Sequence, residues 1–169
     1  MNLISVKNNI LTDFSAGHID SKYAKKIIDK LNEKLGNKSV IFYTGVSYRN
    51  SLILRGNNFS DDLEYFKPDS SHGMNINGIL PKAKSKNAEY TVNLLNEIMF
   101  KSAGVIKSVK SIGGGSPNMI FPWSPGKIPN MNNFQKTWGK KSAVITAVDV
   151  IRGIGLFSGM DILNVKGAT

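Results

Sequence analysis

Arginine is the residue type with the most specific chemistry in this chain, because only three of its 22 basic residues are arginines. A guanidinium binds a phosphate or a carboxylate through two parallel hydrogen bonds, a geometry that a lysine ammonium does not reproduce. Arg49 follows the turn-like stretch Gly-Val-Ser-Tyr, where loops are expected to converge, and Arg152 lies in a predicted helix. Both are candidates for anion binding, and ordinary salt bridges are the alternative for both.

The third arginine, Arg55, ends the apolar stretch that begins after Arg49. Six residues of strand span about 20 Å, so Arg49 and Arg55 cannot hold one small anion together. We therefore interpret Arg55 as an exposed charge at the end of a strand. The expectation of anion binding in this stretch rests on Arg49.

Other reactive combinations are missing from the sequence. His18 and His72 lie far apart along the chain and outside any metal-binding spacing, and no cysteine is present. Asp61 and Asp62 are adjacent and would point apart on a strand or on a helix. The glycine run at 113–115 lacks the pattern of a phosphate-binding loop and favours a linker. We expect neither a catalytic residue nor a metal site in this chain.

The formal net charge of +10 has three interpretations: nucleic acid, a small anionic substrate, or a solvated lysine face. Lys22, Lys26, Lys30 and Lys34 recur every four residues along a predicted helix, which favours a solvated face. The few arginines, and the lack of aromatic residues among the lysines, argue against nucleic acid. No apolar run could span a membrane and no signal peptide is evident. We expect a cytoplasmic protein with no membrane partner.

The elements that would position these residues alternate between strands and helices, which predicts an α+β fold. We expect a mixed, largely antiparallel sheet with about three helices packed on it. Apolar residues at a spacing of 3.6 predict helices over 22–35 and 88–108, and Asp20 or Ser21 is a candidate cap for the first. The other predicted elements are a hairpin over 2–6 and 10–16, strands over 39–44, 48–55, 118–123, 142–147 and 161–165, helical turns over 133–139 and a helix over 148–159.

The polar segment over 57–87 has little periodicity and predicts a long loop. A loop of that length inside a compact domain is usually functional or disordered. No domain boundary is evident, and the chain opens and closes on strand-like apolar runs. We therefore expect residues 1–169 to form a single domain that is a piece of a longer chain.

Five stretches in a fixed order carry a resemblance that covers nearly all of the chain. They are DFSAGHI (13–19), GVSYRNSLILRG (45–56), SPNMIFPWSPGKIP (116–129), SAVITAVDVIRGIGLFSGM (142–160) and NVKGAT (164–169). The set closely resembles the cofactor-independent phosphoglycerate mutases of the archaeal type. That family also includes bacterial members proposed to act as homoserine kinases.

The resemblance implies an enzyme of the alkaline-phosphatase-like superfamily. In those enzymes a core domain carries two divalent metals, Mn or Mg, and a Ser or Thr nucleophile, and a second domain is inserted into that core. The present chain resembles the inserted domain alone. The full enzyme would interconvert 3-phosphoglycerate and 2-phosphoglycerate through a phosphoenzyme, and this domain would hold the substrate without catalysing anything by itself. Its partners would be phosphoglycerate and the metal-binding core domain, not nucleic acid.

The resemblance also assigns substrate-binding positions to Arg49, His72, Asn118, Trp123 and Arg152. For Trp123, packing is the alternative role. His72 falls where relatives often have Pro-His-Asp, but the stretch here reads SSHGM, so the Asp is not matched. The same domain of a homoserine kinase-like relative therefore stays open as an alternative. A basic nucleic-acid-binding module is a separate alternative that follows from the net charge.

Overall fold

The structure is a computed structural model that describes residues 1–109 and 115–165. The chain divides into two compact units, Met1–Gly126 and Lys127–Thr169. The α+β prediction is confirmed, with several small sheets in place of one and four α-helices among the described residues. In chain order the elements are β1 (Asn2–Lys7), β2 (Ile10–Asp13), α1 (Ser21–Leu35), β3 (Val40–Thr44), β4 (Asn50–Leu54), β5 (Leu63–Glu64), β6 (Lys82–Ala83), α2 (Glu89–Lys107), β7 (Met119–Phe121), α3 (Phe134–Trp138), β8 (Ala143–Val144), α4 (Asp149–Phe157) and β9 (Asp161–Ile162).

The central sheet of the first unit is antiparallel and has the strand order β2-β1-β7. The predicted hairpin is confirmed: β1 and β2 pair across Asn8 and Asn9, which have φ values of 50° and 61°. Asparagine tolerates this left-handed conformation better than most residues do. The far edge of β2 is covered by the chain near Asn75, because Leu11 donates its N–H to the Met74 carbonyl at 2.9 Å.

Helix α1 confirms the prediction from apolar spacing. The Asp20 side chain caps it by accepting a hydrogen bond from the Lys22 N–H at 2.8 Å. Its buried face packs against β3 and α2. Asn32 on this helix completes the edge of β3, donating to the Phe42 carbonyl at 2.7 Å and accepting from the Phe42 N–H at 2.9 Å. The hairpin β3–β4 is thereby fixed to α1.

The segment over 57–87 contains more order than the predicted loop. It holds the two-residue antiparallel pair β5–β6 and short 3₁₀ turns, and part of it hydrogen-bonds to β2. Strands of two residues are too short to produce an alternating pattern in the sequence, so periodicity could not reveal them. The glycine run at 113–115 lies mostly outside the described residues.

The interior of the first unit lies between its sheets and the two long helices. Helix α2 buries Leu95, Ile98, Met99 and Ile106, and it is joined to the central sheet by Ser102. The Ser102 hydroxyl accepts from the Ile120 N–H at 3.0 Å and donates to the Met99 carbonyl at 2.6 Å.

The second unit contains α3 and the β8–α4–β9 segment, in which the two strands are parallel. The predicted strand, helix and strand over 142–165 are confirmed, with shorter strands than expected. In the part of the chain that the structure describes, no helix combines the length and apolar character needed to cross a lipid bilayer.

Candidate functional site

Arg49 directly precedes β4, and its backbone forms an isolated bridge with Asn2. Its side chain is exposed, and its guanidinium carbon lies 4.4 Å from the centroid of the Tyr48 ring. This cation–π contact orients the guanidinium and leaves its N–H groups free to donate. Within residues 1–109 and 115–165 no hydrogen bond or ion pair engages these N–H groups. The side chain is therefore available to an anion.

The Tyr48 ring, which we call the Tyr48 platform, contacts the Arg49 guanidinium and two further aromatic rings. It is buried, and it meets the Phe14 ring edge-on at a centroid distance of 6.2 Å and the His18 ring at 5.6 Å. The turn that carries Tyr48 is fixed by Ser47, whose hydroxyl donates to the Ile19 carbonyl at 2.6 Å. The 13–19 and 45–56 stretches, which the sequence separates, thus form one surface.

The 13–19 stretch is held by the Asp13 carboxylate. This carboxylate accepts hydrogen bonds from the Ser15 N–H and hydroxyl, both at 2.7 Å, and from the Gly17 N–H at 2.6 Å. Partial burial raises the pKa of Asp13, but hydrogen bonds from Ser15 and Gly17, with the nearby His18, outweigh it and hold that pKa below the usual 3.8. The Asp13 carboxylate is therefore ionised at neutral pH, and its oxygens accept their hydrogen bonds from within the same loop.

Asn2 connects Trp123 with the same surface. Its side-chain oxygen accepts a hydrogen bond from the Trp123 indole N–H at 3.0 Å, and its amide nitrogen donates to the Phe14 carbonyl at 3.1 Å. Arg49 pairs with the Asn2 backbone, so Arg49 and Trp123 both contact one buried residue. Since the indole has a single N–H, Trp123 retains only its ring for contact with a ligand.

Asn118 has a clear structural role. Its amide group accepts from the Val6 N–H at 2.8 Å and donates to the Val6 carbonyl at 2.7 Å. Asn118 directly precedes β7, so its side chain continues the β1–β7 pairing past the start of that strand. A direct contact between Asn118 and a substrate stays a prediction, as it does for Trp123.

His72 and Arg152 occupy different surroundings. His72 is exposed and directly precedes Gly73. The Gly73 N–H donates to the Leu11 carbonyl at 2.8 Å, so His72 lies next to the segment that pairs with β2. Arg152 belongs to the second unit, where it donates to the Asn164 side-chain oxygen at 2.8 Å. Arg49 and Trp123 each contact Asn2. The substrate-binding roles of Arg49, His72 and Arg152 stay predictions.

Sequence reasoning missed the two residues that assemble the site, Asn2 and Tyr48. Asn2 is a polar residue inside an otherwise apolar strand, and such a residue must find hydrogen-bond partners when it is buried. That signal was present in the sequence. It could not identify the partners, because Trp123 lies 121 residues away along the chain.

The described residues do not fit a metal centre. Among residues 1–109 and 115–165, no group of three or more His, Cys, Asp or Glu side chains could hold a metal ion. The Asp13 carboxylate, in the stretch whose Phe14 and His18 rings contact Tyr48, is already engaged by three hydrogen bonds. We derive no step through a metal from this chain.

Comparison with known proteins gives consistent matches. A family model described as 2,3-bisphosphoglycerate-independent phosphoglycerate mutase matches residues 1–110. A protein of that name from Methanosarcina mazei is 37% identical over 171 residues, which cover 99% of this chain and 42% of the relative. A relative from Methanothermobacter thermautotrophicus, named 2,3-bisphosphoglycerate-independent phosphoglycerate mutase 2, is 36% identical over 99% of this chain and 41% of its own length.

A solved structure supports the fold. The cofactor-independent phosphoglycerate mutase from Thermoplasma acidophilum matches with a TM-score of 0.65 and 20% identity, over 99% of this chain and 47% of that one. At this identity the likeness concerns the fold alone. The present chain spans about 42% of the length of the Methanosarcina relative.

Proposed function

Because the chain belongs to the 2,3-bisphosphoglycerate-independent phosphoglycerate mutase family, we propose that it is the substrate-holding part of an enzyme that interconverts 3-phosphoglycerate and 2-phosphoglycerate. The observation that carries this proposal is the Arg49 guanidinium, which is oriented on Tyr48 and has no acceptor among the described residues. A fork of N–H donors suits the phosphate or the carboxylate of a phosphorylated three-carbon acid.

In this proposal Arg49 binds one anionic group of the substrate, and the Trp123 ring provides an apolar contact. In phosphoryl transfer, most of the rate comes from orientation and from cations placed near the migrating group. The phosphoenzyme and its nucleophile belong to polypeptide outside this chain. Divalent metals, where the family uses them, neutralise phosphate charge and would be held by that other polypeptide.

Binding of 3-phosphoglycerate to the 169-residue chain tests the proposal, measured by calorimetry or by NMR titration up to millimolar concentrations. The test variant is Arg49→Gln and the matched control is Arg55→Gln. Arg55 is an exposed arginine at the other end of the same hairpin strand, 3.4 Å from the Tyr43 hydroxyl. We expect Arg49→Gln to weaken binding at least about tenfold, since charge-assisted hydrogen bonds contribute about 1.5–3 kcal/mol.

The control variant loses the same charge, so it should weaken binding less than about twofold through screened electrostatics alone. Equal losses in the two variants would show that net charge, not Arg49, attracts the ligand. An absence of saturable binding in the unmodified chain would reject the substrate-holding role. Isomerisation by the isolated chain with Mn or Mg added would contradict the assignment of catalysis to other polypeptide.

A further inference from the structure

Strand edges in the first unit are covered in several places by the chain itself. The segment near Asn75 covers β2, and the Ser102 hydroxyl accepts from the backbone of β7. The outer edge of β3 is closed by two asparagine side chains, those of Asn32 and Asn37. Proteins block strand edges in such ways because an open edge pairs readily with another chain.

Strand β4 has a stretch where no such cover is found. The Arg55 N–H donates to the Ser39 carbonyl at 2.9 Å, and with the register of the hairpin this directs the backbone groups of Ile53 towards β3. The backbone groups of Leu52 and Leu54 therefore point to the opposite side, which we call the β4 edge. In the described part of the chain no strand pairs with the β4 edge, and neither leucine makes a hydrogen bond there.

The sequence of β4 carries none of the usual features that block pairing. Asn50–Leu54 contains no charged residue, no proline and no glycine. On the outer face of the hairpin, Ile53 is 40% exposed and Tyr43 46% exposed. An open edge beside an apolar face suits an added β-strand, which would satisfy the backbone groups and cover the side chains.

We propose that the β4 edge pairs with the β4 edge of a second copy of this chain, antiparallel about a two-fold axis at Ile53. In this register Leu52 of each copy lies opposite Leu54 of the other, so the outward N–H and C=O groups of both copies bond to one another. Ile53 faces its own counterpart across the axis. Arg55 faces Ser51 of the other copy, so the two guanidinium groups are kept apart.

The contact is short and belongs to the low end of protein interfaces, so a weak dimer is expected. The net charge of +10 on each copy opposes association, and salt screens this repulsion. Dimerisation should therefore strengthen as salt is added, whereas binding of nucleic acid weakens with salt. The proposal does not depend on what Arg49 binds.

Sedimentation analysis of the 169-residue chain, from about 10 µM to 1 mM in about 0.3 M salt, tests the proposal. We expect a monomer–dimer equilibrium, with slower amide exchange at Leu52 and Leu54 as the concentration rises. Ile53→Lys places two lysines face to face across the axis and should weaken the dimer at least about tenfold. The matched control is Phe100→Lys, at a residue that is 44% exposed on α2, and it should change the dissociation constant less than about twofold.

A second pair of variants tests the register itself. Ser51→Asp places a carboxylate opposite Arg55 of the other copy, and Ser51→Lys places a like charge there. The first should tighten the dimer about threefold and the second should weaken it by a similar factor. Ser51 is exposed, so the fold of each copy is retained. Asn77→Asp and Asn77→Lys make the same changes in net charge at an exposed residue near the covered edge of β2, and they control for net charge.

Four outcomes would overturn the proposal. One is a chain that stays monomeric at about 1 mM. Another is slow amide exchange at Leu52 and Leu54 in the dilute monomer, which would show that the β4 edge is covered within this chain. A dimer that tolerates Ile53→Lys as well as Phe100→Lys would assign the contact to a different surface. Equal effects of the charge changes at Ser51 and Asn77 would show that net charge, not this register, controls association.

Discussion

Replacement of Asn2 by alanine tests whether burial, rather than the number of hydrogen bonds, determines how much an amide side chain stabilises this fold. Asn2 is only 4% exposed, and its side chain bonds to the Trp123 indole N–H and to the Phe14 carbonyl. Asn2→Ala leaves a donor and an acceptor without their protein partners. Water cannot reach them freely, because Asn2 is buried and both Phe14 and Trp123 are half-buried.

The expected magnitude follows from these two groups. A buried polar group left unsatisfied costs about 1–3 kcal/mol. Trp123 is half-buried, so the sum falls in the lower range, about 2–4 kcal/mol. For a chain of this length that corresponds to a loss of about 5–15 °C in melting temperature.

Asn118 is the matched control, since it is the same residue type and also makes two hydrogen bonds, both to Val6. It differs in being exposed, so water can replace the lost amide. We expect Asn118→Ala to cost about 0.5–1.5 kcal/mol.

Urea unfolding followed by circular dichroism measures both variants. A Trp138→Phe background leaves Trp123 as the single tryptophan, and its emission should shift in Asn2→Ala and stay unchanged in Asn118→Ala. A cost for Asn118→Ala equal to or larger than that for Asn2→Ala would refute the reasoning, because it would show that burial is not the deciding variable.

Two further substitutions and one pH dependence can be checked by the same unfolding measurements. Gly36→Ala should destabilise by about 1–3 kcal/mol, because its Cβ would lie 2.5 Å from the Asn32 carbonyl oxygen. Gly104→Ala, in the middle of α2 with open space around it, should instead stabilise by about 0.5–1 kcal/mol, and the same sign for both would contradict the close approach at Gly36. The pKa of Asp13 is lowered in the folded state, so its contribution is present above the usual value of 3.8 and is lost as the pH falls through the folded value. Unfolding free energies of the unmodified chain and of Asp13→Asn should therefore differ at neutral pH and converge as the pH falls through the lowered pKa of Asp13. A gap that does not change with pH would reject the hydrogen-bonded carboxylate as its source.

The elements that the sequence predicted well are those whose stability is local. Helix α1 combines apolar spacing with an Asp20 cap, and the β1–β2 hairpin combines two apolar runs with an Asn8–Asn9 turn. Each of these signals lies within a few residues of the structure it specifies. The start of β4 was less well predicted, because Arg49 leaves the regular hairpin to pair with Asn2.

The candidate site was predictable in part, for a related reason. The guanidinium chemistry of Arg49 is a property of one residue, so the sequence could single it out. The geometry around it depends on contacts between Tyr48 and His18 and between Asn2 and Trp123, which join residues far apart along the chain. The exposure of α4 could not be predicted for the opposite reason: the apolar spacing of this helix predicts burial, but the structure shows that Val150 and Ile154 are exposed.

The net charge of +10 does not by itself indicate where an anion would bind. On α1, Lys30 and Lys34 both contact Glu33, at 2.7 and 2.9 Å, and their hydrogen bonds lower the pKa of that carboxyl group to about 2. Exposed pairs of this kind contribute little to stability, and they partly neutralise the lysine face that the sequence displays. The overall charge would still raise the rate at which anions meet the protein. The proposed place where an anion stays is at Arg49, since its donors are oriented by an aromatic ring and have no carboxylate partner among the described residues.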